Sequence, residues 1–168
     1  PYYVVQIYYA FGQYDKIYER AEQLLKKYPN NEYNDELHRM LGEIYYQDSI
    51  YNDAVRHLKA YYQLRNELKK EMIEEILKAQ LPDGGFSLYH DTADVDITAM
   101  ALQALAPYAN SFQSFTYTQQ AINTTVTKTV RTVVEEALAT LSKLQTKSGD
   151  FTSWGEPNAE STAQVLVA

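Results

Sequence analysis

Asp94-Val95-Asp96 sets two carboxylates two residues apart, beside a loop that also holds Asp83 and Asp91. Hard carboxylate oxygens in a loop suit a calcium ion, although this spacing fits no standard calcium loop. The same residues have a structural use. Asp94 suits a helix N-cap, where its side-chain oxygen accepts from first-turn N–H groups. Asp96 would then sit in that first turn, where negative charge complements the helix dipole. The pair recurs as Asn158-Ala159-Glu160. A helix start repeats for structural reasons and a catalytic acid does not. The expectation is therefore two capped helices with no catalytic residue, no bound metal and no cofactor. Asp94, Asp96 and Trp154 stay as candidate ligand or metal contacts, and Trp154, the one tryptophan, is expected to be buried.

Other chemistry finds little support. The chain has no cysteine, which removes thiolate metal sites, and His38, His57 and His90 are read as lying far apart. Ser87, Ser142 and Ser161 have no flanking nucleophile-elbow pattern. Gly84-Gly85 lacks the lysine of a phosphate-binding loop. A net charge of −7 argues against nucleic acid as a partner. No run of about 18 apolar residues is present, so no membrane insertion is expected.

The elements that carry these residues come in pairs. Gln80-Leu81-Pro82-Asp83-Gly84-Gly85-Phe86 is echoed by Gln145-Thr146-Lys147-Ser148-Gly149-Asp150-Phe151, each at the end of an apolar helix. Asp94-Val95-Asp96-Ile97-Thr98-Ala99 is echoed by Asn158-Ala159-Glu160-Ser161-Thr162-Ala163. Two motifs recurring in the same order make a repeat. Gln80, Gly84, Phe86, Gln145, Gly149 and Phe151 are expected to be structural: the glycines turn the chain out of a helix, and the phenylalanines pin the returning loop. Between the copies, Asn110 to Thr129 reads as a long surface loop, running into a helix from about Thr125 to Gln145.

These segments resemble the glutamine–aromatic motifs of the α/α-toroid superfamily, with Phe in place of Trp. They look closest to the prenyltransferase-like repeats of Gram-positive surface proteins, over roughly residues 68–168. The resemblance implies an arc of a toroid and an extracellular or cell-surface location. It also offers two other readings, a fragment of a terpenoid-cyclase-like enzyme and a carrier of a small ligand such as a corrinoid. Asp96 stands at the position of the class II cyclase acid, but Ile97 occupies the place of that motif's last aspartate.

Residues 1–66 follow a different rule. Breakers at Gly12-Gln13, Tyr28-Pro29-Asn30-Asn31 and Asp48-Ser49 delimit helices near 2–11, 14–28, 33–47 and 51–65. Gly12-Gln13-Tyr14 answers Ser49-Ile50-Tyr51 at an offset of 37 residues, which suggests stacked helix pairs. Leu41-Gly42-x-x-Tyr45, followed by Ala54 and Leu58, resembles the tetratricopeptide pattern. Tyr8, Ile17 and Pro29 match in the first copy, where Val5 replaces the glycine. That resemblance implies a curved helical surface that binds peptides or partner domains. Paired tyrosines (2-3, 8-9, 45-46, 61-62) cannot both face one core, because neighbouring helical residues point about 100° apart.

Composition separates the same two halves. Residues 1–80 hold thirteen tyrosines and no threonine, and residues 81–168 three tyrosines and thirteen threonines. The junction reads either as a helix break near Arg65-Asn66-Glu67, which is favoured, or as one long helix. Ala54, Leu58, Tyr61, Leu68, Met72, Ile76 and Ala79 would form its apolar stripe. The chain starts and stops inside apparent helices, which suggests a segment of a longer array with neighbouring repeats as partners. The expected fold is all-α: two tetratricopeptide-like hairpins (1–66) followed by a partial α/α toroid (67–168). The expected function is non-enzymatic binding or scaffolding of a protein or peptide.

Overall fold

The computed structural model describes residues 1–89, 92–153 and 156–168. The expectations for His90, Asp91 and Trp154 fall outside these residues. Most of the described chain is helical, with two short antiparallel sheets. It divides into two compact units, Pro1–Lys70 and Glu71–Ala168.

The first unit holds α1 (Tyr2–Ala10), a 3₁₀ turn (Tyr14–Lys16), α2 (Tyr18–Lys27), α3 (Asn34–Gln47) and most of α4 (Tyr51–Lys78). Its core is Val5, Ile17, Ala21, Leu37, Met40, Leu41 and Ile44, with a shell of half-buried tyrosines. Helices α1 and α3 end in the same way. Gly12 and Ser49 adopt left-handed backbone, with φ 66° and 62°. Gly12 N–H donates to Tyr9 O (3.1 Å) and Gln13 N–H to Tyr8 O (2.9 Å). Ser49 N–H donates to Tyr46 O (3.1 Å) and Ile50 N–H to Tyr45 O (2.8 Å). Both are Schellman turns, which satisfy the last carbonyls of a helix. In each of the pairs 2-3, 45-46 and 61-62 the second tyrosine is exposed and the first half-buried, while Tyr8 and Tyr9 are both half-buried. A Cβ placed on Gly42 would lie 2.7 Å from Leu58 Cγ, so α3 and the start of α4 approach closely there.

Helix α4 is unbroken through Arg65-Asn66-Glu67, contrary to the favoured expectation. Nothing between Asn52 and Lys78 is a glycine or proline, so no residue forces the helix to stop. The expected stripe also shifts. Leu68 and Met72 are exposed, and burial resumes at Ile73 and Leu77. Residues 65–72 are exposed on every face, so no packing imposes a period on them.

In the second unit, the end of α4 contributes Ile73 and Leu77 to a core built with α5 (Val95–Leu105) and α6 (Val130–Leu144). Helix α7 (Ala159–Leu166) packs against α5. The segment expected as a loop is instead a β-hairpin of β1 (Ser114–Gln119) and β2 (Thr124–Thr129), with Ser114 opposite Thr129 and Gln119 opposite Thr124. Its cause is legible in retrospect. Phe115, Tyr117 and Gln119 alternate inward, and the threonines between them pair across the strands, Thr116 with Thr127 at 2.9 Å and Thr118 with Thr125 at 3.1 Å. Such β-branched and aromatic residues favour a half-buried sheet. Thr129 then caps α6 by accepting from Thr132 N–H at 3.1 Å, so this helix starts later than expected. A second, two-residue pairing joins β3 (Thr152–Ser153) to β4 (Glu156–Pro157).

Candidate functional site

The two glutamine loops of the second unit make the same bonds. Gln80 Nε2 donates to Gly84 O (3.0 Å) and Gln145 Nε2 to Gly149 O (2.8 Å). Leu81 N–H donates to Gly85 O and Thr146 N–H to Asp150 O, both at 2.9 Å. Gly84 and Gly149 have φ 94° and 91°, conformations an L side chain rarely adopts. Phe86 N–H donates to Thr98 Oγ1 and Phe151 N–H to Thr162 Oγ1, both at 3.0 Å. The phenylalanines are both buried in the unit's core. The surroundings differ. Gln80 is fully buried and also donates to Glu136 Oε2 (3.0 Å). Lys128 Nζ donates to Gln80 Oε1 (3.0 Å) and to Glu136 Oε2 (2.6 Å). Gln145 is exposed.

Asp83, Asp94 and Asp96 are each engaged in hydrogen bonds. Asp94 Oδ1 accepts from Ile97 N–H at 2.9 Å, capping α5, and Asn158 Oδ1 caps α7 through Glu160 and Ser161 N–H at 2.8 and 3.0 Å. Asp96 Oδ2 accepts from Ser161 Oγ at 3.1 Å, which joins the first turns of α5 and α7. Asp83 holds its own loop by accepting from Gly85 N–H at 2.9 Å and Ala93 N–H at 3.3 Å. Among the described residues no three His, Cys, Asp or Glu side chains converge as a metal site.

A site that the residue pattern did not disclose lies in the first unit. His38 and His57 are in direct contact, Nδ1 to Nδ1 at 2.8 Å, which corrects their reading as far apart. They lie on α3 and α4, which run antiparallel on either side of the Ser49 turn. His38 precedes Ser49 by eleven residues and His57 follows it by eight, which places the two within one helical turn of each other across the hairpin. His57 is fully buried, and its Nε2 lies 3.0 Å from Glu22 Oε1 on α2. Arg56 Nη2 reaches the same oxygen at 3.0 Å. The Tyr45 ring stacks on His57, with centroids 5.5 Å apart and planes 16° from parallel.

This geometry assigns the protons. A carboxylate oxygen only accepts, so His57 Nε2 carries hydrogen. Neutral His57 then has a lone pair at Nδ1, and His38 Nδ1–H donates to it. The remaining nitrogen, His38 Nε2, is left as an acceptor. Burial depresses both histidines below their ordinary range; the neighbouring His57 adds to this for His38, and Arg56 for His57. His38 also lines a cleft of about 320 Å³ with Asn34, Gln63, Leu64, Glu67 and Leu25.

Protein-family models, curated proteins and solved structures were compared with the chain, and none of them matches.

Proposed function

We propose that this chain is a non-enzymatic binding or scaffolding segment that presents helical hairpins to a protein or peptide partner. The observation that carries this reading is the outer face of α1. Tyr3, Ile7 and the C-capping Phe11, spaced by four, are 61%, 54% and 76% exposed, while Val5 on the opposite face is fully buried. Apolar and aromatic side chains aligned on one exposed helix face suit a contact surface. Tyr46 and Tyr51, packed edge to face at the α3–α4 turn, add further exposed aromatic area.

The reading includes the repeat assignments. The matching Schellman turns after α1 and α3 favour tetratricopeptide-like hairpins in residues 1–66. The matched bonding of the Gln80 and Gln145 loops favours an arc of toroid-like hairpins in residues 67–168, like the prenyltransferase-like repeats of Gram-positive surface proteins. Selection of displayed peptides on the purified chain tests the function. Enriched peptides should bind saturably, and Tyr3→Ser/Phe11→Ser should weaken them about tenfold or more with the melting temperature unchanged. Failure to enrich any peptide over that variant would overturn the reading. Turnover of a polyprenyl substrate would replace it with the cyclase one.

A further inference from the structure

We propose that the cleft beside His38 is a binding site for an alkylammonium group, either the side chain of a lysine or a small free amine. The site uses no residue of the exposed aromatic face, and it stands or falls independently of that face. Its polar lining residues, Asn34, His38, Gln63 and Glu67, each carry an acceptor. His38 Nε2 is one, by the proton assignment along Glu22, His57 and His38. No hydrogen bond joins that nitrogen to any described residue. Glu67 supplies a carboxylate at the rim, and Gln63 an amide oxygen.

Asn34 also lines the cleft. Its Nδ2 is committed to Tyr28 O at 2.8 Å, which fixes the amide's orientation. Its Oδ1 is buried with no donor among the described residues. A donor entering the cleft would relieve part of the cost of that unpaired acceptor once the Asn34 side chain shifts to expose it. Among the described residues no lysine or arginine lines the cleft, and Leu25, Pro29, Ala60 and Leu64 complete its wall. Acceptors and one negative charge at a polar end, with aliphatic walls beside them, complement an ammonium on an alkyl stem. A carboxylate or phosphate would meet the like charge of Glu67, with the Gln63 amide N–H groups as the one side-chain donor left uncommitted in the lining, so anions are disfavoured.

Imidazole ¹⁵N spectra of the full chain, titrated with n-butylammonium and with N-acetyl-lysine methylamide, test the proposal at constant ionic strength. Saturable movement of the His38 Nε2 resonance, absent with n-butanol, is the expected result. Equal binding of both probes would point to a lysine side chain as the source, and binding of n-butylammonium alone to a free amine. His38→Asn keeps a donor for His57 while deleting the Nε2 acceptor, and should weaken binding about tenfold. Glu67→Gln, at an exposed position that the fold does not depend on, should weaken it several-fold, to the extent that solvent screening allows. The proposal is overturned if neither amine moves the resonance, if n-butanol moves it equally, or if Glu67→Gln leaves the affinity unchanged.

Discussion

Gly12 and Ser49, 37 residues apart, hold the same left-handed backbone and close the same Schellman turn. Only Gly12 does so without steric cost. An L residue in that conformation costs about 1–2 kcal/mol, partly offset in glycine by the larger entropy of its unfolded chain. Ser49 is exposed, and among the described residues no hydrogen bond from its side chain compensates. Ser49→Gly should therefore raise stability by about 0.5–1 kcal/mol, read from the urea midpoint at constant m-value. Gly12→Ala should lower it by a similar amount, because a Cβ there meets open space and only the backbone objects. A Ser49→Gly variant less stable than the parent would show that the serine side chain matters to the turn.

The two glutamine loops separate backbone strain from packing. Gly84 and Gly149 share nearly the same positive φ, but a Cβ on Gly84 would lie 2.9 Å from Glu136 O, while one on Gly149 would meet nothing nearer than Gln145 Nε2 at 4.0 Å. Gly149→Ala should cost about 1 kcal/mol from strain alone. Gly84→Ala should cost at least about 2 kcal/mol more, since backbone on α6 must move. Equal losses, measured by thermal or chemical denaturation of the two variants, would mean that Gly84 is not tightly packed against α6.

Much of the helical plan was readable because its punctuation is chemical. Pro29, Gly12 and the Asp48-Ser49 pair end helices for reasons that hold in any fold, and Asp94 and Asn158 announce the starts of α5 and α7. The β1–β2 hairpin was missed because serine, threonine and glutamine are also loop residues; only the alternation of Phe115, Tyr117 and Gln119 distinguishes it. The histidine pair was missed for another reason. Sequence distance hides a contact made across two antiparallel helices, and nothing in His38 or His57 alone says which residue lies opposite. The stripe on α4 failed where residues 65–72 are solvent-exposed and burial no longer constrains residue type.

That exposed stretch gives a test with opposite signs for its two readings. In a continuous α4, Asn66 is an exposed helix-interior residue with poor helix propensity. Asn66→Ala should then stabilise the chain by about 0.5 kcal/mol. Were the helix to end there, with Asn66 as its C-terminal cap, the same change would remove a residue tolerant of left-handed backbone and destabilise the chain. Denaturation of this single variant decides between them, with Glu67→Ala as a control that leaves the cap in place.

The Glu22–His57–His38 chain makes stability depend on pH in one direction. Burial lowers the pKa of both histidines in the folded state, so the unfolded chain takes up protons first as pH falls. Stability is fully present above the ordinary histidine value of about 6.5. It is lost as pH falls from there towards the depressed folded values, and levels off below them. Glu22 opposes the shift at both histidines and Asp53 does so at His57, while Arg56 reinforces it. Melting temperature should therefore decline between about pH 7 and pH 5.5, before most carboxylates titrate. The variant His38→Asn/His57→Gln keeps a donor toward position 57 and one toward Glu22, and removes both buried imidazoles, leaving His90 as the chain's one histidine. It should show a flatter profile over that range. A parent chain as stable at pH 5.5 as at pH 7, or a variant with an undiminished slope, would mean that the buried pair is not the source of the dependence.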